Sequence, residues 1–247
     1  WEVLFDEVLS EIFYMPPVPP DHRHLQVLYE DNHLLAINKP AMLPTMGAPA
    51  GTPTLLIAAK QYIKEKYQKP GNVYLGVVSR LDAPVTGVVL LARTSKAARR
   101  LTEQYREGRV QKTYWALVEG PLSLGGGKCI DWIASDERHR RVRIVRVNLP
   151  EAKQAVLEYQ ALHSSDDYTL LEINLLTGRK HQIRIQLSHR NLPILGDRKY
   201  GSQTAFPSGI ALHARRLTVA HPVGGSPIEV AAPLPGYWPL AESHVSE

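Results

Sequence analysis

The tripeptide Arg80-Leu81-Asp82 places a guanidinium and a carboxylate two positions apart, just after the apolar run Leu75–Val78. Ala83-Pro84, Thr86-Gly87 and a second apolar run, Val88–Ala92, follow it. An acid between two buried strands stands at a strand end, beside the core and open to a cleft. Two roles fit it. Asp82 can be a turn residue that bonds nearby backbone ahead of a proline. It can also be a nucleophilic carboxylate held ionised by Arg80, which points to the same side if the strand continues. Such a carboxylate can attack a sugar carbon or an electron-poor ring carbon and form a covalent intermediate. Spacing alone leaves both readings open.

Other groups with chemical capacity are scattered along the chain. Tyr114 opens the apolar run Tyr114–Val118, where a core aromatic is the simple reading. Arg184 is flanked by Ile183, Ile185 and Leu187, which argues against a fully solvated face. Gly178, Arg179 and Lys180 stand at a helix start, where backbone N–H groups and charge can meet a phosphate. Arg138, Arg140, Arg141, Arg143 and Arg146 crowd together with no acid among them. Val142 and Ile144 alternate with Arg141 and Arg143, so one face of that strand is basic and the other packed. A basic hairpin suits phosphate contact, and equally a solvated edge that resists pairing with other strands.

The elements that must position these groups can be read from periodicity. Leu25–Tyr29 and Leu34–Asn38 are expected as strands around the turn-rich Glu30-Asp31-Asn32. Thr52-Pro53 is expected to cap a helix running to about Lys66. Strands are expected at Leu75–Val78, Val88–Ala92 and Tyr114–Val118. Ser95 is expected to cap a helix that Gly108 ends. Four strands are expected at Cys129–Ile133, Arg141–Val147, Ala155–Leu162 and Thr169–Leu175. A helix from Lys180 to His189 and strands at Leu212–Val219 and Ile228–Ala231 complete the set. Gly125-Gly126-Gly127-Lys128 reads as a flexible turn. Strands in clusters with few helices between them point to an α+β fold with a mixed, mostly antiparallel sheet.

Composition narrows the chemistry. The 247 residues suffice for one large domain or two fused subdomains. With 44% hydrophobic residues and a net charge of +5, the chain is not disordered throughout. The single cysteine, Cys129, excludes a disulfide framework and a cysteine-rich zinc site. No apolar run approaches the roughly 20 residues that span a bilayer. The phosphate loop, the G-x-G-x-x-G turn, H-E-x-x-H and G-x-S-x-G do not occur. Four acids, Glu2, Asp6, Glu7 and Glu11, meet no base in the first fifteen residues, so the positive excess is concentrated further on. Residues 1–24 are expected to be an N-terminal extension with a proline-rich connector, 25–240 the globular body, and 241–247 a polar tail.

Six ordered motifs carry a family resemblance. Ser79-Arg80-Leu81-Asp82-Ala83-Pro84-Val85-Thr86-Gly87 resembles the H-R-L-D-x-x-T-S-G motif of the RluA-type RNA pseudouridine synthases. Asp31 to Pro40 is similar to that family's opening strand and Asn-Lys-Pro turn. Gln111 to Val118 is similar to its K-x-Y-x-A-x-V strand, and Thr177 to Arg184 to its T-G-R-x-H-Q-I-R element. Pro193 to Asp197 with Tyr200-Gly201, and Leu212-His213-Ala214 with His221-Pro222, match two further segments. The chain departs from the pattern at Ser79, at Val85-Thr86, at Ile185-Gln186-Leu187 and after Pro40.

The resemblance implies a two-subdomain α+β body with a cleft across the middle of its sheet and Asp82 at the floor. It implies isomerisation of uridines in tRNA or rRNA, with Asp82 as catalytic aspartate, Tyr114 stacking on the base and assisting proton removal, and Arg184 pairing with Asp82. Arg80 is expected to fill the place of the extruded uridine. RNA contacts are expected at Lys39, Lys112, Arg179, Lys180, His181, Arg138, Arg140, Arg141 and Arg143. No metal or cofactor, no membrane and no obligate protein partner are implied; the enzyme is expected to be a cytoplasmic monomer, or organellar in a eukaryote. The alternatives are a non-catalytic RNA-binding or RNA-folding protein on the same fold, and a carboxylate glycosidase, which needs a second acid that Asp82 lacks nearby in sequence.

Overall fold

A computed structural model describes residues 25–136, 138–139 and 141–239; the expectations for 1–24, for Arg140 and for the tail lie outside them. Eleven strands form one sheet. In chain order they are β1 (Gln26–Glu30), β2 (Leu34–Lys39), β3 (Gly76–Val77), β4 (Thr86–Ala92), β5 (Gln111–Glu119), β6 (Gly126–Asp136), β7 (Arg141–Val145), β8 (Lys153–Ser164), β9 (Tyr168–Leu175), β10 (Leu212–Ala220) and β11 (Pro227–Ala231). Spatially they run β1-β2-β4-β10-β5-β9-β8-β6-β7, with β3 beside β4 and β11 beside β10. Pairing is antiparallel except where β10 meets β4, a parallel contact of two residue pairs, His213↔Thr86 and Ala214↔Gly87. The sheet is thus mixed and mostly antiparallel, as expected for an α+β fold, and the short seam divides it into two halves.

Each half has its own core. β4 is buried along its whole length because both its faces are covered, so it reads as a continuous apolar run. Leu34, Ala36, Val88 and Leu90 face one way, onto helix α2 (Ser95–Arg106) through Ala97 and Leu101. Leu35, Ile37, Val89 and Leu91 face the other, onto helix α1 (Leu55–Lys66) through Leu55, Ala59 and Ile63. The alternation is the period of two that a pleated strand imposes. The other half packs β5, β8 and β9 around Trp115, Leu117, Leu157 and Leu171, with Ile183 and Leu187 of the short helix α3 (Gln182–Ser188) closing it.

Several boundaries differ from the expectations. Thr54, not Thr52, caps α1: its hydroxyl accepts from Ile57 N at 3.3 Å. Thr94, one residue before Ser95, caps α2 through Ala97 N at 3.1 Å. In both cases the cap is the extended residue immediately before the first helical one, as capping geometry demands. Gly126 and Gly127 are not a flexible turn but the start of β6, where Gly127 leaves room for the Tyr159 ring. Only Gly76–Val77 of the expected third strand is paired, so the chain is already irregular when it reaches Arg80. Among the described residues no helix is long and apolar enough to cross a membrane.

The seam depends on Gly87. Its φ is +108°, and a Cβ there would lie 2.3 Å from the Ala214 carbonyl oxygen. A side chain would push β4 from β10 beside the Asp82 loop. Gly87→Ala is therefore expected to cost about 2–4 kcal/mol, combining overpacking with an unfavourable φ. Urea unfolding checks this as a lowered midpoint at unchanged slope.

Candidate active site

The loop between β3 and β4 is fastened at successive residues. Leu81 exchanges two hydrogen bonds with the Thr45 hydroxyl, which accepts from its N–H at 3.2 Å and donates to its carbonyl at 2.9 Å. Val85 N donates to the Asp82 carbonyl at 3.1 Å. The Lys39 ammonium donates to the Ala83 carbonyl at 3.0 Å, and Ile210 N to the Pro84 carbonyl at 3.2 Å. Just beyond, Thr86 Oγ1 lies 2.7 Å from His213 Nδ1, while His213 Nε2 lies 3.2 Å from the Ala232 carbonyl. Burial lowers His213 to about 4 and keeps the ring neutral. Nε2–H then donates to the Ala232 carbonyl, so Nδ1 accepts from the threonine hydroxyl. The loop backbone is thus immobilised from several elements, and Asp82 projects from it into a cavity of about 460 Å³.

Arg184 connects Asp82 to the interior. Its Nη1 donates to Asp82 Oδ2 at 3.1 Å. The fork formed by Nε and Nη2 holds Asp197 at 2.7 and 2.8 Å. The Asp197 side chain is 1% exposed, that of Arg184 6% and that of Asp82 29%. Burial alone would weaken the guanidinium's charge, but the two carboxylates outweigh it and raise its pKa. The guanidinium also stacks over the Tyr200 ring, 5.0 Å from its centroid. This planar, bidentate geometry is one that arginine supplies and lysine does not.

Tyr114, Leu212 and Val85 form an apolar wall of the cavity. Burial, then Tyr105 and Asp82, raise the Tyr114 phenol's pKa, so it is a neutral hydroxyl at neutral pH. Arg80, Arg179 and Lys180 line the same cavity and are exposed at its mouth. His181 lies deeper, with Nε2 3.5 Å from Asp82 Oδ2. The helix starts at Gln182 rather than Lys180 because His181 has a left-handed backbone, φ 52°. Arg179 N is not free for a phosphate: it donates to Gln182 Oε1 at 3.0 Å.

The sequence-derived set therefore divides. Asp82, Tyr114, Arg184, Arg80, Arg179, Lys180 and His181 come together around one cavity. Lys112 is partly buried below Gly178, and burial followed by Arg179 lowers its pKa. Arg141 and Arg143 are exposed on β7, an edge strand, with Val142 buried between them; Arg138 is exposed in the preceding turn. The bonded partner of Asp82 is Arg184 rather than Arg80. Lys39 corrects the expectation of an RNA contact: it is 0% exposed, and its ammonium donates to the carbonyls of Pro40, Leu43 and Ala83. Burial pushes it down to about 7, against the pull of Asp82. Sequence reasoning assigned no role to Thr45 or Asp197. Asp197 was visible within the matched Gly196-Asp197 pair, but nothing in its spacing pointed to Arg184.

A family model described as RNA pseudouridylate synthase matches residues 33–189. The ribosomal large subunit pseudouridine synthase D of Xanthomonas campestris is 37% identical, over 87% of this chain and 68% of its own. That of Xylella fastidiosa is 35% identical, over 95% of this chain and 72% of its own. Among solved structures, human RNA pseudouridylate synthase domain containing 4 superposes with a TM-score of 0.72 at 26% identity, covering 95% of this chain and 94% of that one.

Replacing Lys39 tests whether the loop is held as described. Lys39→Met removes the donor from three carbonyls and is expected to cost about 3 kcal/mol. Turnover is expected to fall with little change in RNA affinity, because the buried ammonium meets no ligand. Thermal unfolding and filter binding read the two effects separately.

Proposed function

This chain belongs to the RluA-type RNA pseudouridine synthase family, and on that footing we propose that it isomerises uridines of large-subunit ribosomal RNA with Asp82 as its catalytic carboxylate. Members of the family are isomerases that convert uridine in RNA to pseudouridine. The reaction breaks the C1′–N1 glycosidic bond, turns the uracil and joins C1′ to C5; the C5 proton is lost and a proton is gained at N1, so the composition is unchanged. The ribosomal substrate is supported by the names of the bacterial relatives. The catalytic assignment is supported by one observation above others: a partly exposed carboxylate on the cavity floor, ion-paired to an arginine that a second, buried carboxylate holds.

Each remaining residue has a role that its position supports. Arg184 keeps Asp82 ionised and oriented in a partly dry pocket. Tyr114 offers a ring face to the uracil and a hydroxyl near the proton that must leave C5. The target must be extruded from its stack to reach this cavity, and the exposed Arg80 can occupy the vacated position. Lys180, Lys199 and Arg141 lie near enough to one another for the two neighbouring cations to lower Lys199, after burial and Arg184. That cluster continues the cavity mouth toward Arg143 on β7 and suits an RNA backbone.

Tritium placed at uracil C5 of ribosomal RNA lacking pseudouridine provides the assay. The native protein is expected to release tritium to water, and Asp82→Asn to abolish release while unfolding at a similar temperature. Full release by Asp82→Asn would remove the carboxylate from the chemistry; no release by the native protein on any such RNA would favour a non-catalytic RNA-binding role. Arg141→Ala with Arg143→Ala is expected to weaken RNA binding and to lower its salt dependence by about one unit of slope per lost phosphate contact.

A further inference from the structure

We infer that His181 is a positioning residue for the reaction: its imidazole presents the Nε2 proton to Asp82 Oδ2, and the Tyr200 phenol behind it fixes the tautomer that makes this proton available. The inference rests on Asp82 being the catalytic carboxylate, and it assigns to His181 a role other than RNA contact.

The direction of the hydrogen bonds follows from their fixed end. Val142 N, a backbone donor in β7, donates to the Tyr200 phenol oxygen at 3.0 Å. A backbone N–H cannot accept, so the phenol's own proton has to go elsewhere. His181 Nδ1 lies 2.7 Å from that oxygen, with the two rings at 84°. With Val142 occupying one lone pair, we assign the phenol as donor to Nδ1, the acceptor 2.7 Å away. A neutral imidazole carries one proton, and here it must sit on Nε2, the nitrogen facing Asp82 at 3.5 Å. The ring is neutral because its side chain is 9% exposed: burial lowers its proton affinity to about 4, with Arg184, Lys199 and Lys180 adding to the effect against Asp82. At 3.5 Å the two atoms are within reach but form no hydrogen bond in this structure; catalytic contacts of this kind commonly tighten once substrate is bound.

The backbone supports the same role. His181 stands at φ 52°, in the left-handed region that non-glycine residues seldom occupy, and it makes no side-chain cap to α3. The side chain is thereby turned from the helix it precedes toward the Asp82 carboxylate. The consequence for Asp82 is specific. Arg184 Nη1 and His181 Nε2 both address Oδ2, and among the described residues Oδ1 makes no hydrogen bond. Oδ1 is then the oxygen available to the substrate. A neutral second donor fixes the carboxylate plane without the added positive charge that would reduce its nucleophilicity.

Histidine side-chain ¹⁵N NMR on the whole protein tests the tautomer, with the His181 signals assigned by their loss in His181→Asn. Asparagine tolerates a left-handed backbone, so this variant is expected to fold. At pH 7 the native protein should show Nε2 protonated and Nδ1 bare. Tyr200→Phe, which keeps the ring over Arg184, should mix the two tautomers. In single-turnover tritium release with saturating RNA, His181→Asn is expected to lower the rate about tenfold or more, and Tyr200→Phe by about threefold to tenfold, with RNA affinity unchanged in both. A native Nδ1-protonated ring would overturn the inference. So would unchanged rates in both variants, or losses confined to RNA affinity. Absence of release by the native protein would fail the proposed function instead, and the NMR spectrum would still decide the tautomer.

Discussion

A single guanidinium shared by two carboxylates is the constraint around which this molecule is arranged. Arg184 faces Asp82 in the cavity with one nitrogen and Asp197 in the interior with its fork. Neither half would stand alone. A buried guanidinium without Asp197 would carry an uncompensated charge, and Asp197 without Arg184 would be an isolated buried carboxylate. Once paired, the guanidinium is fixed, and its remaining nitrogen fixes the one carboxylate that solvent can reach. The stiffness needed for the chemistry is generated behind the site, where water does not compete.

The surrounding elements meet the demands of that contact. α3 must be short and almost wholly buried to bring Arg184 inside, and its exposed faces are accordingly few. The chain from Ile194 to Tyr200 returns across α3 to deliver Asp197, with Tyr200 N bonded to the Asp197 carbonyl at 2.9 Å. Lys39, Thr45 and Ile210 fasten the backbone that carries Asp82. The narrow parallel seam between β4 and β10 allows the two halves of the sheet to approach here with backbone in contact and no side chain intervening at Gly87. Asp82 and Arg184 meet where the two halves join because each half contributes one member of the ion pair.

Much of this was legible in the sequence, and the part that was not has a physical cause. The apolar alternation in β2 and the continuous run in β4 located the core without further information. The motif around Asp82, with those around Tyr114 and Arg184, located the cavity by family resemblance. Asp197 escaped because an ion pair across thirteen residues and a turn leaves no periodic trace. Lys39 was misread because lysine is ordinarily a surface residue; here the exposed alternative lost to three backbone carbonyls left without partners by an irregular loop. His181 was grouped with its basic neighbours because residue type says nothing of a left-handed φ that turns the ring inward. Caps shifted by one or two residues, because neighbouring hydroxyl residues offer the same cap chemistry and only the backbone conformation selects between them.

Asp197 acts on Asp82 through Arg184, and a double-mutant cycle on turnover tests that directly. Asp197→Asn alone should slow tritium release by loosening the arginine, and Arg184→Met should slow it more. The account predicts that Asp197→Asn then adds nothing to Arg184→Met, a coupling of about 1–3 kcal/mol between the two positions. Losses that simply multiply, with no coupling, would contradict it.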